Sequence, residues 1–125
     1  MHIVDFTLNL GDRGKPRVSH FEKRISGAKY LDPFEAADET SNVMLTAPKT
    51  KRWRSLMSKL EIPNDDSPVV VYDQDGLFGG ARGWFLFKLF GRKNVRFLNG
   101  GLPKWESEER SLDSGEYEVE DVERD

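Results

Sequence analysis

Between Pro68 and Asp73 the chain carries Val69, Val70, Val71 and Tyr72 without a polar break. The run is short and apolar on both faces, as a strand buried inside a parallel sheet requires. Val4, Phe6, Leu8 and Leu10 instead alternate with polar residues, which predicts a half-exposed first strand, and Asn9-Leu10-Gly11-Asp12-Arg13-Gly14-Lys15-Pro16 then breaks regular structure. Arg24 to Asp32 reads as a turn before a short apolar segment, and residues 38–42 as a surface loop. Trp53, Leu56, Met57 and Leu60 fall at i, i+3, i+4 and i+7, predicting an amphipathic helix over 49–60 with Thr46 as its cap and Pro48 near its first turn. A second helix is predicted from Ala81 to Phe90, ending at Gly91, and another strand from Val95 to Leu98. Asn99-Gly100-Gly101 turns the chain into a short helix from Pro103 past Trp105.

Strand, helix and strand joined by short connections make a βαβ unit, so a parallel sheet with a right-handed crossover is expected, covered by helices on both faces. The loop over 73–82 then lies at the carboxyl end of the central strand. A length of 125 residues suits one domain that buries its core without disulfides or a structural metal. The chain has no cysteine, which excludes a disulfide framework and any thiolate chemistry. His2 and His20 are far apart and leave zinc unsupported, so neither a metal nor another cofactor is expected. No apolar stretch is long enough for a membrane span, and Asp5 follows Met1 too soon for a signal peptide. A soluble cytoplasmic protein is the default, with a mitochondrial location as the alternative although no presequence is visible.

Charge divides the chain unevenly. Residues 106–125 carry ten acids against Arg110 and Arg124, net −8, so residues 1–105 are net +5. The expected organisation is a domain over 1–112 and an acidic, solvated tail or linker over 113–125. Lys49, Lys51, Arg52 and Arg54 form a basic helix face beside Trp53, but Trp53 belongs to the apolar stripe, so the charges read as a solvated face and nucleic acid is not expected.

The chemistry-bearing stretch is Tyr72-Asp73-Gln74-Asp75-Gly76-Leu77-Phe78-Gly79-Gly80-Ala81-Arg82. Glycines between a buried strand and a helix allow backbone amides to face inward as an anion cradle, and Asp73, Asp75, Gly76, Gly79, Gly80 and Arg82 are the candidate anion or docking residues. One reading has Asp73 and Asp75 capping the following turn and accepting loop amides. A second is the first motif of a haloacid-dehalogenase-type phosphotransferase, with Asp73 attacking phosphate and Asp75 as acid/base beside magnesium; that chemistry needs a later lysine and acidic pair on separate strand ends, and only about half of a small domain remains after Asp75. Arg82 could anchor an anion or make a surface or interdomain salt bridge.

Taken together the segments resemble the rhodanese-like sulfurtransferases. The resemblance is carried in order by Arg24-Ile25-Ser26-Gly27-Ala28 with Tyr30-Leu31-Asp32, Met44-Leu45, Val70-Val71-Tyr72-Asp73, Arg82-Gly83-Trp84-Phe85, Phe90-Gly91, and Leu98-Asn99-Gly100-Gly101-Leu102-Pro103-Lys104-Trp105, spanning roughly residues 3–112. It is nearest to the catalytically silent amino-terminal half of two-domain thiosulfate and mercaptopyruvate sulfurtransferases. The resemblance implies a three-layer α/β domain with a mainly parallel central sheet. It also implies that Asp73 stands where active domains carry the persulfide-forming cysteine, so this chain holds no catalytic residue. Ser26 replaces the proline of the family motif, a change of turn rigidity.

A carboxylate at position 73 forms no persulfide and repels an anionic donor. Two unit charges about 4 Å apart cost on the order of 4 kcal/mol at an effective dielectric of about 20, against about 0.3–1 kcal/mol returned by a helix N-terminus. Thiosulfate is therefore not expected in the loop unless Arg82 points inward. The resemblance implies a non-catalytic domain that supports a catalytic rhodanese domain; the alternative partner is another protein, with the chain as a free-standing interaction module. The chain is either a single-domain member or a segment of a longer protein.

Overall fold

The computed structural model describes residues 1–38, 40–43, 45–76 and 79–117. Among them lie β1 (His2–Asp5), α1 (Lys15–Glu22), β2 (Arg24–Ile25), β3 (Ala28–Tyr30), α2 (Thr50–Lys59), β4 (Val69–Tyr72), α3 (Gly79–Leu89), β5 (Val95–Phe97), α4 (Gly101–Ser107) and β6 (Leu112–Asp113). The main sheet has the order β3-β1-β4-β5 and is parallel throughout, with Val4 beside Val71 and Val71 beside Phe97. A separate antiparallel ribbon pairs β2 with β6.

Alternation along the strands divides the core between the two faces of the sheet. Val4, Val69 and Val71 pack with Trp53 and Leu56 of α2 and Leu86 and Phe87 of α3. Tyr72 and Ile3 pack on the other side with Leu102 and Trp105 of α4 and with Ile25. This is the expected α/β architecture, a mainly parallel sheet with helices on both faces.

Several elements differ from their sequence reading. The first strand ends at Asp5 rather than running to Leu10: Phe6 is buried, but Thr7 turns its hydroxyl back onto the Asp5 carboxylate, and Leu10 is exposed. Helix α1 begins at Lys15, inside the predicted break, and its buried residues are Pro16 and His20, so it carries no apolar periodicity to announce it. Thr46 does not cap α2. Lys49 occupies the cap, while the Thr46 hydroxyl donates to the Val43 carbonyl. Arg52, assigned to the solvated basic face, is buried. Helices α3 and α4 each begin two residues earlier than predicted, at Gly79 and Gly101.

Packing runs past residue 112. Asp113 pairs with Arg24 across the ribbon, and the Tyr117 hydroxyl meets His20 and accepts the Tyr30 N–H at 3.0 Å. Residues 118–125 of the acidic segment, and Met44 of the Met44-Leu45 motif, lie outside the described residues.

Candidate functional site

Strand β4 carries Asp73 to the mouth of the sheet and leaves it fully buried. Its carboxylate does not face an open cradle. Oδ1 accepts the Gly76 N–H at 2.5 Å and Oδ2 accepts the Gly80 N–H at 2.9 Å, so the side chain itself fills the amide positions that an anion would use. Its backbone carbonyl accepts the Leu102 N–H at 3.0 Å, tying the loop to α4. Burial pushes the Asp73 carboxyl above its ordinary value of 3.8, helped by the charge of Asp75 and opposed by the two amides.

The approach of α3 to this carboxylate depends on the absence of a side chain at Gly80. A Cβ there would stand 2.5 Å from the Phe97 ring and 3.1 Å from the Tyr72 carbonyl carbon. The same holds at Gly101, where φ is +56° and a Cβ would lie 2.9 Å from Asp73 Oδ1. Gly101 is a site residue that sequence reading assigned only to a turn.

A second set of polar groups holds the loop from below. Gln74 donates its backbone N–H to Thr7 Oγ1 at 2.9 Å, and its Nε2 donates to Asp5 Oδ2 at 2.9 Å and to the Pro16 carbonyl at 2.7 Å. Asp5 is fully buried and also meets His20 Nδ1 at 2.9 Å. The sequence signal for this network is a charged residue at the end of the first strand, two residues before a threonine.

Asp75 is exposed but stays with Asp73 through a side-chain hydrogen bond, and Gly79 opens α3. Arg82 does not point into the cradle: its guanidinium donates to the Leu45 carbonyl and lies 5.7 Å from the centre of the Phe85 ring. Leu77 and Phe78 lie outside the described residues.

This geometry limits the chemistry. A phosphoryl-attacking aspartate needs one oxygen directed at substrate, whereas both oxygens of Asp73 take amides of the chain. Among the described residues no three His, Cys, Asp or Glu side chains are grouped to hold a metal ion. Without cysteine no persulfide forms. No helix among the described residues is long and apolar enough to cross a membrane.

Comparison with known proteins agrees with this framework. The rhodanese-like domain family matches residues 13–108. A thiosulfate/3-mercaptopyruvate sulfurtransferase of Arabidopsis thaliana is 40% identical over 90 residues, covering 72% of this chain and 26% of the relative. The 3-mercaptopyruvate sulfurtransferase of Escherichia coli K12 is 32% identical over 95 residues, covering 76% of this chain and 34% of the relative. The crystal structure of SseA from Escherichia coli, a 3-mercaptopyruvate sulfotransferase, superposes with a TM-score of 0.84 at 28% identity, covering 94% of this chain and 45% of that one. This chain thus spans between about a quarter and a third of the length of these curated relatives. The chain belongs to the rhodanese-like domain family and is homologous to one part of the thiosulfate/3-mercaptopyruvate sulfurtransferases.

Proposed function

We propose that this chain is a non-catalytic rhodanese-like domain, equivalent to the amino-terminal half of two-domain sulfurtransferases, and that it supports sulfur transfer by a domain that carries the cysteine. The observation that carries the reading is the Asp73 carboxylate seated on the Gly76 and Gly80 amides. Those two donors are the electrostatic resource of an anion cradle, and here they neutralise a group tethered to the chain. An incoming thiosulfate would have to expel that carboxylate from its amides and tolerate its charge, since Arg82 is directed at Leu45.

The partial coverage of the relatives fits a domain that acts beside another. The test is cyanide-dependent formation of thiocyanate from thiosulfate or 3-mercaptopyruvate by the purified chain, alone and with a cysteine-bearing rhodanese domain added. The chain alone should give no turnover above buffer, and its addition should stabilise or activate the second domain. Turnover by the isolated chain would overturn the non-catalytic reading. A catalytic domain indifferent to its presence would overturn the supporting one.

A further inference from the structure

Helix α3 carries an outer face that the rest of the described structure leaves open. Its inner side buries Gly80, Gly83, Leu86 and Phe87, as an amphipathic helix against a sheet should. On the opposite side Trp84, Phe85 and Leu89 stay 37%, 47% and 53% exposed. Together with Lys88 they occupy i, i+1, i+4 and i+5, one side of the helix. Large apolar residues clustered on a surface and rimmed by charge mark interaction sites more often than single exposed ones do.

The stretch of chain that contains this face is cationic. From Gly76 to Trp105 the sequence contains no acid and six cations. Lys88 Nζ sits 5.8 Å from the Trp84 ring and donates to the Lys93 carbonyl, so the helix face is continuous with the turn into β5. The Trp84 indole donates to the Val95 carbonyl at 3.2 Å, fixing the ring over edge strand β5, and Lys93, in the turn before that strand, is exposed. Arg92, by contrast, is consumed in holding the Pro63 and Ser67 carbonyls.

We infer that the outer face of α3 docks a protein partner presenting apolar side chains flanked by carboxylates. The apolar anchors seat against Trp84, Phe85 and Leu89, and the carboxylates meet Lys88 and Lys93. Complementarity of this kind sets partner choice and encounter rate more than raw affinity. Nucleic acid fits less well: Phe85 and Leu89 offer apolar area, and the Arg82 guanidinium beside Phe85 is engaged with the Leu45 carbonyl. The inference stands apart from the chemistry of the loop.

The test uses the full chain and a labelled synthetic peptide in which leucines recur at helical spacing among glutamates, followed by fluorescence anisotropy. The peptide should bind, weaken steeply with added salt, and lose about ten-fold or more in affinity to Lys88→Glu/Lys93→Glu and, separately, to Phe85→Ser/Leu89→Ser. These positions are exposed, and an unchanged thermal midpoint confirms that each variant folds; Lys88→Gln/Lys93→Gln serves if the reversal does not. Four results would each overturn the inference: no binding; equal binding of the same peptide with glutamine for glutamate; tighter binding of a single-stranded oligonucleotide to the same face; or self-association in sedimentation that Phe85→Ser/Leu89→Ser abolishes, which would assign the face to a second copy of the chain.

Discussion

The Tyr117 hydroxyl lies 2.6 Å from His20 Nε2, on the far side of an imidazole whose Nδ1 meets Asp5 Oδ2 at 2.9 Å. With the Asp5 carboxylate accepting the Nδ1 proton, Nε2 accepts from Tyr117, and the same tyrosine oxygen accepts the Tyr30 N–H. Tyr117→Phe keeps the ring packed against Phe21 but strands a buried imidazole nitrogen and a strand amide. The expected loss is about 1–3 kcal/mol, read as a lower urea midpoint. A change inside the roughly 0.5 kcal/mol of an ordinary surface substitution would show that Tyr117 is not a structural contact.

Asp73→Ala should expose the loop amides that the carboxylate now occupies. The variant is expected to lose about 1–3 kcal/mol through the unpaired amides of Gly76 and Gly80 and to recover part of that in millimolar sulfate or thiosulfate, whereas the native chain should gain nothing. Differential scanning fluorimetry against added salt, with chloride as the control, decides this. In the same position, Asp73→Cys should alkylate with iodoacetamide faster than an unfolded-chain thiol, because amides and a helix start favour the thiolate. An inert thiol would show that those amides do not form a cradle.

Gly101→Ala tests the contact between α4 and the loop. The added methyl meets Asp73 Oδ1 at 2.9 Å, on a backbone with φ of +56°, so steric overlap and left-handed strain add together. Destabilisation of about 1–3 kcal/mol is expected in chemical unfolding. Gly115→Ala supplies the comparison, since it also has positive φ but a Cβ there would meet nothing within 4 Å; equal losses at the two positions would leave the loop contact without energetic weight.

Asp113 gives a signed pH dependence. Hydrogen bonds from the Gly27 N–H and the Ser26 hydroxyl hold its carboxyl below the ordinary 3.8. A group depressed in the folded state stabilises above its unfolded value, and that contribution disappears as pH falls through the folded one. The difference in thermal midpoint between the native chain and Asp113→Asn should therefore be full at pH 6 and should shrink as pH falls below about 3.8. A difference that stays constant into acid would assign the effect to something other than the carboxylate charge.

What could be read from the residues follows the physics of each segment. Val69 to Tyr72 announces a buried strand because no polar residue interrupts it, and Trp53, Leu56 and Leu60 announce α2 because they repeat at helical spacing. The inward amide contacts of Asp73 follow a common aspartate role at a strand end before glycines, so capping was legible while the full burial of the carboxylate was not. Helix α1 was not legible, because the side chains it buries are a proline and a histidine. Nor was Arg52, whose sequence neighbours place it on a cationic face. The network from Gln74 through Asp5 to His20 joins residues from three separate elements, and no local pattern reports such a convergence.

Strand β1 begins at His2 yet lies inside the sheet, paired on one side with β3 and on the other with β4. During synthesis from the amino terminus its two neighbours are made at different times. The β3 side becomes available once Tyr30 has emerged, but the other edge stays bare until Tyr72 has followed it. Closing that second pairing joins residues more than sixty positions apart, such as His2 and Val69, a long loop of the kind that slows folding. A nascent chain shorter than this therefore presents one unpaired strand edge, and that interval is where this domain is most exposed to mispairing with other chains.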